Sequence, residues 1–201
     1  MKRFSLYIIL CLLALFSLNA QDSSWVQRSG LSPLDTIPKV VVMADYEEGQ
    51  IKLRFAINQA SIWYANIPYG YKIERYETDS ITGLADKTTR DTTIVNTWSL
   101  NQFEPLMQNP DQYKYHLTIA ECIYGSPGAD DTKPQFGRVA KEIQNKHGLA
   151  LYAADMDFSA ALAGGMAWTD KNGIVEGKTY FYRVRALFPD STILPAYTTI
   201  K

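Results

Sequence analysis

The chain is poor in the residues that most often carry chemistry. Its 201 residues include two cysteines, Cys11 and Cys122, and two histidines, His116 and His147. A Ser-His-Asp arrangement would have to use one of those two imidazoles, and no motif in the sequence places a serine beside either. Net charge is nearly absent: 20 Lys and Arg against 21 Asp and Glu give −1. Nucleic acids and anionic membranes attract proteins largely through summed positive charge, so neither is expected as a partner. Internal repeats and low-complexity blocks are lacking, and only one long apolar run occurs.

That run opens the chain, MKRFSLYIILCLLALFSLNA. Lys2 and Arg3 form a basic start, Tyr7 to Phe16 an apolar core, and Leu18-Asn19-Ala20 a small-residue end. This is the pattern of a cleavable secretory signal over residues 1–20, too short for a comfortable membrane span. Cleavage after Ala20 is expected, leaving Gln21 first; the alternative is a retained N-terminal anchor. The mature protein is then secreted, periplasmic or on the cell surface, with no membrane span. Cys11 sits inside the apolar run after Leu10, which does not suit lipid attachment. Losing Lys2 and Arg3 brings the mature chain to about −3. Cys122 is left without an internal partner, so a hydrophobic core must hold the fold. About 180 mature residues suffice for one full-sized domain. Thirteen tyrosines suit a β-rich core or a binding surface.

Residues 21–38 read as a flexible leader. Val40 to Met43 is a first strand, and Glu48-Gly49 a turn. Ile51, Leu53, Phe55 and Ile57 alternate with Lys52, Arg54 and Ala56, the period of a strand with one face buried. An aromatic loop, Ile62 to Gly70, precedes a strand at Tyr71 to Glu74. A polar turn region follows at Asp79 to Asp91, then a strand at Thr92 to Val95. Beyond Leu100 the period becomes helical. Asn109-Pro110-Asp111 predicts a helix start, with Tyr113, Leu117, Ala120 and Tyr124 at helical spacing and Gly125 as the stop. Ser126 to Pro134 is a loop. Two further helices are predicted, Val139 to Lys146 ended by His147-Gly148, and Leu149 to Ala163 ended by Gly164-Gly165. Short strands return at Met166 to Thr169, Gly177 to Ala186 and Ala196 to Ile200.

The segment Val175-Glu176-Gly177-Lys178-Thr179-Tyr180-Phe181-Tyr182-Arg183-Val184-Arg185-Ala186 resembles the end of a fibronectin type III domain. Tyr180 falls where that family places its tyrosine corner, whose hydroxyl bonds back to nearby backbone. Glu176 stands where proline is common. Ile51 to Phe55 resembles the second strand, with Phe55 in place of the usual Trp, and Gly70 to Arg75 resembles the third. The resemblance covers about 40–95 and 166–200. It implies a mainly β, fibronectin type III-like antiparallel β-sandwich over 39–201, with a helical insertion at about 100–165, as occurs in exported bacterial surface proteins. An insertion after the fourth strand emerges beside Trp63, Tyr64 and Tyr69. The helices are therefore expected to cap that end, with Phe188 to Pro195 nearby.

Each candidate for chemistry has a structural reading beside its functional one. His116, a general base or metal ligand in principle, flanks an apolar helix stripe and reads as packing. His147 precedes Gly148 and reads as a cation at a helix C-terminus. Cys122, among Ile119, Ala120 and Ile123, reads as an inert buried thiol. Asp155 and Asp157 point to different helix faces. Asp130-Asp131 lacks the ligand spacing of a calcium loop, and Glu47-Glu48 marks a turn. No metal, cofactor or catalytic residue is assigned. Trp63, Tyr64 and Tyr69 are the candidate binding residues, either a hot spot for a protein or a stacking platform for sugars; the alternative is that they pack under the helices. The expected function is a non-catalytic binding or scaffold module for a protein partner at the cell envelope or surface. A carbohydrate-binding accessory domain is the alternative, and a hydrolase ranks last.

Overall fold

Alternation of side chains sets the strands. The computed structural model describes residues 37–78, 85–125, 136–190 and 192–201. The signal segment, the leader up to 36 and the Ser126 to Pro134 loop, with Asp130 and Asp131, lie outside the described residues. Strand β1 (Val40–Glu47) turns through Glu48-Gly49 into β2 (Gln50–Ile57). Both turn residues have positive φ, 51° and 77°, the twist that a two-residue hairpin loop requires. On β2, Ile51, Leu53, Phe55 and Ile57 are buried, while Lys52 and Arg54 are half-buried on the other face. The remaining strands are β3 (Tyr71–Thr78), β4 (Ala85–Val95), β5 (Ala167–Asp170), β6 (Tyr180–Ala186) and β7 (Ala196–Ile200).

They form two antiparallel sheets, ordered β1-β2-β5 and β4-β3-β6-β7. The inner faces share one buried cluster, in which β2 meets Tyr71 and Ile73 of β3 and Tyr180, Tyr182 and Val184 of β6. The Phe55 and Tyr71 rings meet edge to face with centroids 5.0 Å apart. Each such buried side chain contributes roughly 1.5–3 kcal/mol, so this layer dominates the stability of the sheets.

Helices supply as much regular structure as strands, so the expected predominance of β-structure is corrected. Helix α1 (Ala60–Asn66) links β2 to β3. Four more lie between β4 and β5, in the expected insertion: α2 (Leu100–Phe103), which tightens into a 3-10 turn (Glu104–Gln108), α3 (Lys114–Tyr124), α4 (Phe136–Met156) and α5 (Phe158–Ala163). Several expected boundaries move. The aromatic loop is the helix α1. The polar turn region is strand from Ala85 onward. The α3 helix starts at Lys114 rather than beside Pro110.

The break expected at His147-Gly148 does not occur, because α4 runs through it for 21 residues. Burial of His147, Ala150, Ala153 and Ala154 holds that segment helical. The chain breaks instead at Asp157, whose extended backbone (φ −148°) and side chain, accepting from the Ser159 and Ala160 amides, start α5. The insertion's N-terminal contact is as expected: α4 packs on α1 through Trp63 and His147, ring centroids 5.1 Å apart. Phe188 lies at the same end, donating its amide to Asn66 Oδ1 and packing on Tyr69. The C-terminal half of α4 goes further, reaching the outer face of β2, where Arg54 and Asp155 pair at 2.8 Å.

Candidate interaction surface

The three candidate aromatics do not present one open platform. Trp63 is buried at 2% exposure, Tyr64 is half-buried, and only Tyr69 faces solvent. The Trp63 and Tyr64 planes differ by 51°, and Tyr69 turns toward Phe188. Stacking on a sugar needs exposed ring faces, so Trp63 serves the α1–α4 packing instead. Tyr180 is buried, and its hydroxyl accepts from the Val175 amide at 2.9 Å and donates to the Gly173 carbonyl at 3.2 Å.

Exposed apolar residues collect elsewhere. The outer face of β1 presents Val41 (47% exposed) and Met43 (59%). Beside them a groove of about 240 Å³ is lined by Val41, Met43, Arg54, Ala56, Leu151 and Asp155. A second concavity, about 300 Å³, continues past Met43 and Arg54 to Lys52, Glu47 and Phe158. Arg54 joins the two: its guanidinium reaches Asp155 and the Met166 carbonyl, and its Nε is buried without a partner. Lys52 lies over the Phe158 ring and pairs with Glu47. On α4, Leu149, Tyr152 and Met156 are each more than half exposed and lie on one side of the helix. The sequence pattern marks Val40 to Met43 only as a strand; that Val41 and Met43 share an outer face beside α4 is seen only in the folded chain. The Arg54–Asp155 pair ties β2 to the helix here, and its partners are separated by 101 positions.

The remaining candidates fall into structural roles. His116 is buried between the Trp98 and Tyr113 rings. Contrary to the sequence reading, a serine does lie beside it: Ser159 Oγ is 3.3 Å from Nε2, and Asp157 Oδ2 is 3.6 Å from Nδ1. Ser159 Oγ, however, is 2.6 Å from Asp157 Oδ1, so its proton goes to the carboxylate. In acyl transfer the serine donates to histidine and the acid sits on the far side. This cluster is a helix cap. Burial alone would raise the Asp157 pKa, but the Ser159 and Ala160 donors and nearby His116 outweigh it and hold the carboxyl below its usual value.

His147 lies in the middle of α4, not at a helix end, and burial lowers its pKa. The cation at a helix C-terminus is its neighbour Lys146, whose Nζ donates to the Glu121 and Gly125 carbonyls at the end of α3. Cys122 is buried, and burial pushes its thiol up to about 11. Among the described residues, no group of three His, Cys, Asp or Glu is placed to hold a metal, and no helix is long and apolar enough to cross a membrane. No family model matches the chain, and no curated protein or solved structure is similar to it at a significant level.

Proposed function

We propose that this chain is an exported, non-catalytic interaction module with fibronectin type III-like architecture, and that it binds a protein partner at the cell envelope or surface. The observation that carries the binding role is the exposed apolar surface where Val41 and Met43 of β1 adjoin the groove walled by Leu151 of α4. Exposed apolar side chains around a groove with a charged rim suit a protein hot spot, where large side chains are desolvated and the rim excludes water. The architectural part is supported by the three- and four-stranded sheets and by the Tyr180 hydroxyl bonding back to Gly173 and Val175. Export is supported by the N-terminal sequence pattern.

The test places a photo-crosslinking residue at position 43, 151 or 199 of the full chain in its native envelope. Positions 43 and 151 are expected to capture one discrete protein, and Met43→Glu to weaken that binding at least tenfold. Equal capture from position 199, on the outer face of the other sheet, would refute the assignment of this surface.

A further inference from the structure

A second cleft lies between α1 and the N-terminal half of α4, sharing Asn58 with the edge of the β1 groove. It encloses about 600 Å³ and is lined by Ala60, Ser61, Val139, Ala140, Ile143 and His147, among others. That size suits a small-molecule site, and the wall combines apolar side chains with the polar Asn58, Ser61, Gln144 and His147. The polar group set deepest is the His147 imidazole, 7% exposed.

Its chemistry is fixed by its neighbours. Nε2 lies 3.0 Å from the Ile57 carbonyl oxygen. A carbonyl only accepts, so Nε2 carries the proton and donates. In a neutral ring that leaves Nδ1 as a bare acceptor. The Trp63 ring, tilted by 39° against the imidazole, fixes its orientation. Burial favours the neutral form and so keeps the acceptor in place near neutral pH. An acceptor with a fixed tautomer, set beside Ala60, Val139 and Ile143, suits a donor on an apolar body.

We infer that this cleft binds a small, neutral, largely apolar molecule bearing one hydrogen-bond donor, of the phenol or indole class. The donor meets His147 Nδ1, and the ring lies against Ala60, Val139 and Ile143. A protonated imidazole has no acceptor. Affinity for the donor therefore falls as the pH drops through the His147 transition. Asn58 borders both this cleft and the β1 groove, but His147 lines only the cleft, so the two proposals are tested separately.

The experiment titrates the mature protein with phenol and with anisole, which keeps the ring but lacks the donor. The readouts are the His147 ¹⁵N resonances and the fluorescence of a variant retaining only Trp63. Phenol is expected to bind roughly fivefold or more tightly than anisole, the preference that one neutral hydrogen bond provides. The preference should vanish as the imidazole protonates, and in His147→Phe, which keeps a ring against Trp63. Equal binding of the two probes, or phenol shifts confined to other residues, overturns the inference. If His147→Phe does not fold, the wild-type ¹⁵N shifts still decide: an Nε2-protonated ring supports the site, and an Nδ1-protonated ring overturns it.

Discussion

Asp170 is the most constrained polar residue among those described. It is wholly buried on β5, yet it accepts from Arg75 of β3 and from the Tyr182 hydroxyl of β6, both at 2.8 Å. Arg75 also donates to the Asn172 carbonyl, so the pair ties the two sheets together. Removing one partner of a buried pair strands the other charge, so Asp170→Ala should cost about 3–5 kcal/mol. The double change Asp170→Leu with Arg75→Met should restore much of that. Urea unfolding midpoints of the wild type and the two variants check this. Nothing in the sequence marked this pair, because its members are 95 positions apart and each reads alone as an ordinary strand residue. Tyr180 was legible because its neighbours form one continuous motif. His147 sets a second expectation at this scale. Its folded pKa lies below the unfolded value of about 6.5. Its share of stability is therefore complete above about pH 6.5 and is lost as the pH falls from there through the folded value. Thermal melts of wild type and His147→Gln between pH 7.5 and 5 should converge toward the acid end.

Among the elements, α4 shows most clearly where pattern reading stops. Glycine after a histidine looks like a helix end, and a helix crossing it pays about 1 kcal/mol relative to alanine. The cost is met because the residues on either side are buried against α1, α3 and β2, which no local pattern reveals. Gly148 itself has open space around its Cα, with no atom within 4 Å of an added Cβ. Gly148→Ala should therefore stabilise the protein by up to about 1 kcal/mol, seen as a rise in the melting temperature. Gly165 contrasts with it: φ is +66° and a Cβ would lie 2.7 Å from the Thr97 amide, so alanine there should destabilise. The strands were largely legible, since alternation over Ile51 to Ile57 fixed which face is buried. The α1 helix was not, because it lacks an N-terminal side-chain cap and its aromatics mimic a loop.

For the whole molecule, the proposed export makes the simplest prediction. The protein recovered from the envelope or medium should begin at Gln21, and intact mass with N-terminal sequencing decides it. The division into strands, helical insertion and returning strands could be read from periodicity and from the Tyr180 segment. The sites could not. Each groove combines an insertion helix with an element outside the insertion, β1 and β2 in one case and α1 in the other, and only the folded chain brings them together. That same insertion shapes how the molecule is made. Strand β5 completes the three-stranded sheet only after α2 to α5 have passed, and its approach to β2 joins residues as distant as Arg54 and Met166, 112 positions apart. Pairings of such separation carry a large loop-closure entropy and slow the search for the native state. During synthesis the β1–β2 hairpin emerges with Leu53 and Phe55 uncovered, long before β6 can bury them. The newly made chain thus has an interval of exposed apolar strand, in which it is prone to aggregate.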